Sequence, residues 1–365
     1  MKVLLNAEAF GFGPCAAMVE IFKHIKTLEI VTQIDYVGDS HTLDLHSKLP
    51  YNKVFNVKTE KDFKKIVQNY DIFITALDFE KAMWAIEEEI KTVVYDTLLW
   101  YWRKIPPVLN KTFKYITQNF YGVKERLEQT GICNGAIIPP LVQKMNHKTE
   151  SNVKDLIDKD LILINFGGLQ NPYWAQSTTL DYISIILELI LPLLKHENVK
   201  IACSKIYEPY LIKYGAKNYS YDQMQEYLQK SRLVIATPGL GNIYECANYD
   251  IPSLFLPPVN DSQGQQLKIL INKGQIDNYI DWDFFELPLE YNLEQLEVLD
   301  YIKNNIKIVK NKIACSIYKE NLKTTINSKI IKSGNTNLKN LIGQFGINGI
   351  EQLKFELNAI FLKEE

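Results

Sequence analysis

Two consecutive doubly wound α/β domains followed by a helical C-terminal segment are the architecture this sequence predicts. Three observations lead there. Short apolar runs alternate with helical patterns over the first 140 residues. After a polar stretch the same rhythm restarts at Leu161. From about Leu287 the pattern turns Lys-, Ile-, Leu- and Asn-rich, with apolar residues at helical spacing. Near-continuous apolar strands joined through helices indicate a parallel sheet covered on both faces.

The first domain, residues 1–142, opens with a strand at Val3-Leu4-Leu5 and a helix from Ala16 to about Lys26. Further strands are expected at Ile34 to Val37, Val54 to Val57, Ile72 to Thr75, Thr92 to Tyr95 and Tyr115 to Thr117, and the half ends at Ile137-Ile138-Pro139-Pro140. Residues 143–160 are polar (Asn146, His147, Lys148, Glu150, Ser151, Asn152) and read as a linker. In the second domain, residues 161–285, strands are expected at Leu161 to Ile164, Val199 to Ala202, Leu233 to Ile235 and Ser253 to Leu256. Helices are expected at Leu180 to Leu194, Tyr221 to Lys230, Asn242 to Asn248 and Gln263 to Lys273. Residues 286–365 read as helices, Leu293 to Lys332 and Leu338 to Leu362, packing on one or both domains.

Composition narrows the function. With 41 basic against 43 acidic residues, no broad basic field is available for a nucleic-acid backbone. The N-terminus, MKVLLNAEAFGFG, has too short an apolar run for a signal peptide. The greasy stretch Tyr182 to Leu194 contains Glu188 and Pro192 and falls short of a bilayer span, so a buried helix is expected. Cys15, Cys133, Cys203, Cys246 and Cys315 form no C-x-x-C and no zinc spacing with the five histidines; reduced, mostly buried thiols in a cytoplasm fit them.

Glycine is scarce, 17 residues in 365, and six of them lie in three loops that follow strands. These are Asn6 to Pro14, with Gly11-Phe12-Gly13; Asn165 to Gln170, with Gly167-Gly168; and Ala236 to Asn242, with Gly239-Leu240-Gly241. In open α/β sheets ligands sit at the carboxyl ends of strands, so these loops are candidate ligand contacts. The third leads into a helix whose free N–H groups and dipole suit a diphosphate. Glu245, one turn into that helix, could accept hydrogen bonds from ribose hydroxyls, and Asp261, Gln265 and Gln266, after the next strand, suit a hydroxyl-rich ligand. A tight turn is the plain alternative for Gly11 and Gly13. The first loop is no dinucleotide fingerprint, because alanine stands at its third site, and G-x-x-x-x-G-K-[ST] does not occur.

The run Gly239 to Ala247, then Ile251-Pro252, then Asp261 to Gln266, resembles the donor region of GT-B glycosyltransferases. The nearest likeness is the branch with the lipid-II N-acetylglucosaminyltransferase and natural-product enzymes, where G-x-x-[ST]-x-x-E-A is followed by G-[IV]-P and D-x-x-Q-Q. Phe166-Gly167-Gly168 matches that family's glycine-rich opening of the second domain. The resemblance implies two Rossmann-like domains facing a cleft, acceptor domain first. It implies that Gly239, Gly241 and Asn242 approach the diphosphate, that Glu245 holds the ribose, and that Asp261, Gln265 and Gln266 meet the sugar or its phosphates. The expected donor is a nucleotide-diphosphate sugar, UDP-sugar foremost, with no further cofactor. The acceptor is a small molecule, a lipid or a macromolecule, which leaves room for a peripheral place on a membrane's inner face. Asn242 departs from the family's Ser or Thr, and Gly264 interrupts the acid-to-Gln spacing.

Transfer needs leaving-group stabilisation, which helix amides can supply without a metal, and a base. Asp158-Lys159-Asp160 and Asp281-Trp282-Asp283 follow no sheet strand and read as solvated turn charges. Many relatives have a histidine after the first strand; this loop has none. Glu8 is the first candidate base, Asp96 the second and Asp78 the third, with a buried structural carboxylate as the alternative for Glu8. Trp100, Tyr101 and Trp102 could line an acceptor pocket or pack as core. His24 and His41 read as structural or solvated. An inverting, metal-independent glycosyltransferase is the leading expectation. A same-fold epimerase or hydrolase and a non-catalytic nucleotide-sugar-binding protein are the alternatives. An epimerase should gather several carboxylates and a histidine, which the sequence does not reveal.

Overall fold

The computed structural model describes residues 1–142, 160–332 and 337–361. The expected linker lies outside them except for Asp160, as do Asp158 and Leu362. The chain divides into two compact units, Met1–Lys144 with Phe345–Glu365, and Met145–Gln344.

In the first unit the elements run β1 (Lys2–Ala7), α1 (Gly13–Ile25), β2 (Gln33–Gly38), α2 (Thr42–His46), β3 (Val54–Asn56), α3 (Glu60–Val67), β4 (Ile72–Ala76), α4 (Phe79–Glu87), β5 (Lys91–Asp96), β6 (Lys114–Gln118), α5 (Val123–Thr130) and β7 (Gly135–Ile138). The sheet is parallel, in the order β3-β2-β1-β4-β5-β6-β7. Every residue of β4 is buried, as a strand covered on both faces requires. The chain leaves β1 toward β2 on one side and β4 toward β5 on the other, so the β1/β4 boundary is the switch point. Helix α1 starts at Gly13, earlier than expected, with Pro14 in its first turn. Proline's fixed φ and missing N–H suit that position.

The second unit runs β8 (Leu161–Asn165), α6 (Gln176–Ile190), β9 (Asn198–Ala202), α7 (Glu208–Leu211), β10 (Ala216–Lys217), α8 (Tyr221–Lys230), β11 (Ser231–Ala236), α9 (Leu240–Asn248), β12 (Ser253–Phe255), α10 (Asp261–Asn272), α11 (Gln295–Lys312) and α12 (Ser316–Ile331). Its parallel sheet has the order β10-β9-β8-β11-β12, with the switch point between β8 and β11. Helices α11 and α12 pack against α6, adding Val298, Ile302, Ile306, Leu322 and Ile326 to its core. Two helices close the chain, α13 (Asn340–Phe345) and α14 (Gly349–Phe361). Helix α14 packs on α1, β6 and β7, burying Leu353, Leu357, Ile360 and Phe361. Lys114 pairs with Glu356 at 2.6 Å, and His24 Nε2 lies 3.0 Å from Asn358 Oδ1, so His24 is structural. The helical C-terminal segment is thus shared between the units.

The helical segment Gln176–Leu194 is long and apolar enough to cross a membrane by length and composition alone, and half of it is buried, in keeping with the expected buried helix. In the structure Tyr182, Ile183, Ile186, Leu187, Leu189 and Ile190 are buried in the second unit's core. All five cysteines are free; Cys15, Cys203 and Cys246 are buried, Cys133 and Cys315 exposed.

Candidate functional site

The second unit's switch point sets the Asn165 to Gln170 and Ala236 to Asn242 loops side by side at the ends of β8 and β11. Gly239, with extended backbone, is the N-cap of α9 and offers no side-chain cap. The amides of Leu240, Gly241 and Asn242 therefore have no carbonyl one turn back, at the positive end of the helix dipole. The expected start at Asn242 was two residues late, so Gly241 lies inside the first turn. It is exposed, and a Cβ there would meet nothing within 4 Å. Its value is an open approach to the backbone.

Side-chain amides lock the two loops together. Gly167 N–H donates to Asn165 Oδ1 at 2.8 Å, Asn165 Nδ2 donates to Asn242 Oδ1 at 3.1 Å, and Asn242 Nδ2 donates to Thr237 O at 3.1 Å. Ser204 Oγ donates to Gly167 O at 3.1 Å, while Gly168 is exposed beside it. Asn242 thus offers its backbone outward while its side chain holds the loops. Glu245 lies one turn beyond Gly241, partly buried, with Oε1 accepting from Gln225 Nε2 at 2.7 Å. Burial pushes its carboxyl up to about 7, opposed by that hydrogen bond.

Three expected sugar contacts turn inward. Asn260 Oδ1 accepts from Gln263 N–H at 2.8 Å and starts α10 at Asp261, which puts Asp261, Gln265 and Gln266 inside a helix. Asp261 is only 2% exposed. Gln265 Nε2 donates to Tyr291 O at 2.8 Å, and buried Gln266 donates to Pro238 O, which pins the glycine loop from below. Gln263, which sequence reasoning missed, brings Nε2 to 4.0 Å from where a Cβ on Gly239 would stand. Its signal was the Asn-x-x-Gln cap. Asp281 is likewise no solvated charge: it caps Trp282 N at 2.7 Å and takes the Tyr291 hydroxyl, whereas Asp283 is exposed.

In the first unit Glu8 follows β1 directly, and its N–H donates to Ala76 O at 2.9 Å, continuing the β1/β4 register. Asp39 follows β2 and Asp78 follows β4 closely. Lys81 Nζ lies 2.7 Å from Asp78 Oδ2 and 3.8 Å from Asp39 Oδ2. Burial first, then the charge of Asp78, pushes the Glu8 carboxyl up to about 7, with Lys81 opposing. His41 is 5% exposed, its Nε2 2.6 Å from Gly11 O and its ring edge-on to Phe12 at 5.1 Å. Burial holds its pKa below the usual value, so the ring is neutral and Nε2–H donates. A histidine does reach the Gly11-Phe12-Gly13 loop, from the segment that follows β2. Contrary to the sequence reading, several carboxylates and a histidine gather here. Among the described residues no group of three or more His, Cys, Asp or Glu is arranged to hold a metal ion.

Asp96 is differently placed. It is fully buried, with Oδ1 accepting from Leu98 N–H at 2.6 Å and Oδ2 from Trp102 Nε1 at 2.9 Å and Tyr115 Oη at 2.7 Å. Both oxygens are occupied, so Asp96 anchors the aromatic loop and is poorly placed as a base. Burial pushes its pKa up to about 6 against those three bonds. Trp100, Tyr101 and Trp102 are half-buried and meet each other, Phe79 and Phe120 edge-on or tilted.

Solved structures are similar to this chain in fold. Os79 from O. sativa, in complex with U2F and trichothecene, has a TM-score of 0.57 at 10% identity, over 99% of this chain and 100% of that one. The chain has a GT-B glycosyltransferase-like fold. UGT89C1 from Arabidopsis thaliana, complexed with UDP, has a TM-score of 0.53 at 9% identity over 98% and 99% of the two chains. MnaA from S. aureus, solved with UDP, has 0.51 at 11% identity over 99% and 97%. No family profile matches the chain, and no curated protein matches it in sequence.

Proposed function

We propose that this protein is a nucleotide-sugar-dependent glycosyltransferase that binds the donor diphosphate at the α9 N-terminus. The observation that carries this reading is the open first turn of α9 at the second switch point, with Gly241 bare and its loop pinned by Gln266 and Asn242. Fixed amides aimed at a leaving diphosphate stabilise its developing charge without reorganising. Glu245 accepts the ribose hydroxyls through the oxygen that Gln225 leaves free. Glu8 takes the acceptor's proton, since a carboxyl titrating near 7 exchanges protons at neutral pH. UDP is the favoured nucleotide, with support from the similar structures solved with UDP. No metal is required by this chemistry, and the acceptor is a small molecule, lipid or macromolecule bound by the first unit.

A second reading is favoured by the Glu8, Asp39, Asp78 and His41 grouping: the same fold acting on the sugar of the donor itself, as an epimerase or hydrolase. A thermal-shift screen against UDP-, dTDP-, GDP- and ADP-sugars tests the common core, because a ligand that binds only the folded state raises the melting temperature. One nucleotide should stabilise the chain, and none doing so sinks both readings. Product analysis then separates a new glycoside from an isomerised or hydrolysed sugar. With the stabilising nucleotide, Glu245→Ala should weaken binding about tenfold by calorimetry; unchanged affinity removes the ribose role.

A further inference from the structure

We propose that Lys81 is a positioning residue that keeps Glu8 able to exchange its proton, a role that rests on Glu8 being the base. The geometry is that of the β1/β4 switch point. Glu8 and Asp78 come off the ends of adjacent strands, and Asp39 comes off β2 on the other side of β1. Both aspartates adjoin a non-glycine residue in the left-handed region, Ser40 at φ 50° and Leu77 at φ 67°. Such backbone persists where its surroundings over-determine it, often at functional sites. Lys81 is 8% exposed, and a buried ammonium is costly without counter-charge. It has two, Asp78 Oδ2 at 2.7 Å and Asp39 Oδ2 at 3.8 Å. Asp78 Oδ1 in turn accepts the Lys81 N–H at 2.9 Å and caps α4, so one residue anchors both the ammonium and the helix.

The groups facing Glu8 are Asp78, Glu80 and Lys81 from α4 and its cap, Asp39 from the β2 end, and the Cys15 thiol of α1. Burial raises the Cys15 pKa and keeps it uncharged, and neutral His41 faces Asp39. Lys81 offsets the two aspartates, and Glu8 has no hydrogen bond to its carboxyl among the described residues. Remove the ammonium and two uncompensated aspartates oppose ionisation of Glu8, which then keeps its proton at neutral pH.

Carboxyl 13C NMR of the full chain labelled at glutamate reads this directly, with the Glu8 signal identified by its loss in Glu8→Gln. Lys81→Met should move the Glu8 midpoint upward by about one pH unit, and Lys81→Arg should keep it close to wild type. Asp78→Asn, which preserves shape and removes a negative charge, should move it downward and serves if Lys81→Met does not fold. A midpoint unmoved by Lys81→Met, or unmoved or raised by Asp78→Asn, overturns the role. The titration needs neither nucleotide nor sugar. A Lys81 effect on Glu8 can therefore stand where Glu8→Gln leaves turnover intact, and Glu8 can prove essential where Lys81 has no effect.

Discussion

Glu8→Gln should lower turnover about a thousandfold while leaving nucleotide affinity within about twofold, as expected for losing a general base and nothing else. Glutamine keeps the size and polarity of the side chain and cannot take a proton. Glu8 lies in the first unit and the proposed diphosphate site in the second, so binding and chemistry should separate cleanly in this variant. The pH dependence follows from the raised pKa. A carboxyl can act as a base only when ionised, so with Glu8 in the proposed role kcat/KM should climb as pH rises through about 7 and level off above it. That acid limb should vanish from the residual rate of the glutamine variant. A variant retaining full activity returns Glu8 to the status of a buried structural carboxylate. Asp96→Asn, by contrast, should disturb folding more than chemistry, since it breaks into the anchor of the aromatic loop.

Gly264→Ala should destabilise the second unit by about 3 kcal/mol, lowering its melting temperature by roughly 10 °C. A Cβ at Gly264 would stand 2.1 Å from two atoms of the Tyr291 ring. That ring cannot step aside: Tyr291 is 1% exposed and bonds Asp281 through its hydroxyl, while its carbonyl accepts from Gln265. In a Tyr291→Ala background the alanine should cost little, and calorimetric melting of the single and double variants measures this coupling. Equal losses in both backgrounds would mean that the cost does not come from the ring, since alanine is itself the better helix former. The glycine that interrupts the family's acid-to-Gln spacing is thus accounted for by packing.

How far the sequence carried the fold depended on the length of each signal. β1, β4, β5, β8 and β11 were legible because buried parallel strands are unbroken apolar runs. β10, two residues long, carries no such run. Helix starts were misplaced where the cap was misread: Gly239 caps α9 without a side chain, and Asn260 caps α10 with one. The latter error turned Asp261 into an apparent loop residue, while Gln265 and Gln266 already fell in the expected helix. The glycine loops were legible because glycine is scarce elsewhere. Lys81, Asp39 and His41 were not, because only strand order brings residues so distant in sequence to Glu8 and Gly11. Pairings of that kind leave no local pattern to read.

The most direct test of the diphosphate site is calorimetric titration of UDP into the wild-type chain and into Gly241→Asp. The substitution enters open space, and an aspartate in the first turn favours the helix dipole, so α9 should stay folded. Its carboxylate would occupy the amides and repel a diphosphate. Wild type should bind UDP and the variant should lose binding at least a hundredfold, on the order of 3 kcal/mol. A folded Gly241→Asp that binds UDP as tightly as wild type would place the diphosphate elsewhere and contradict the assignment of α9.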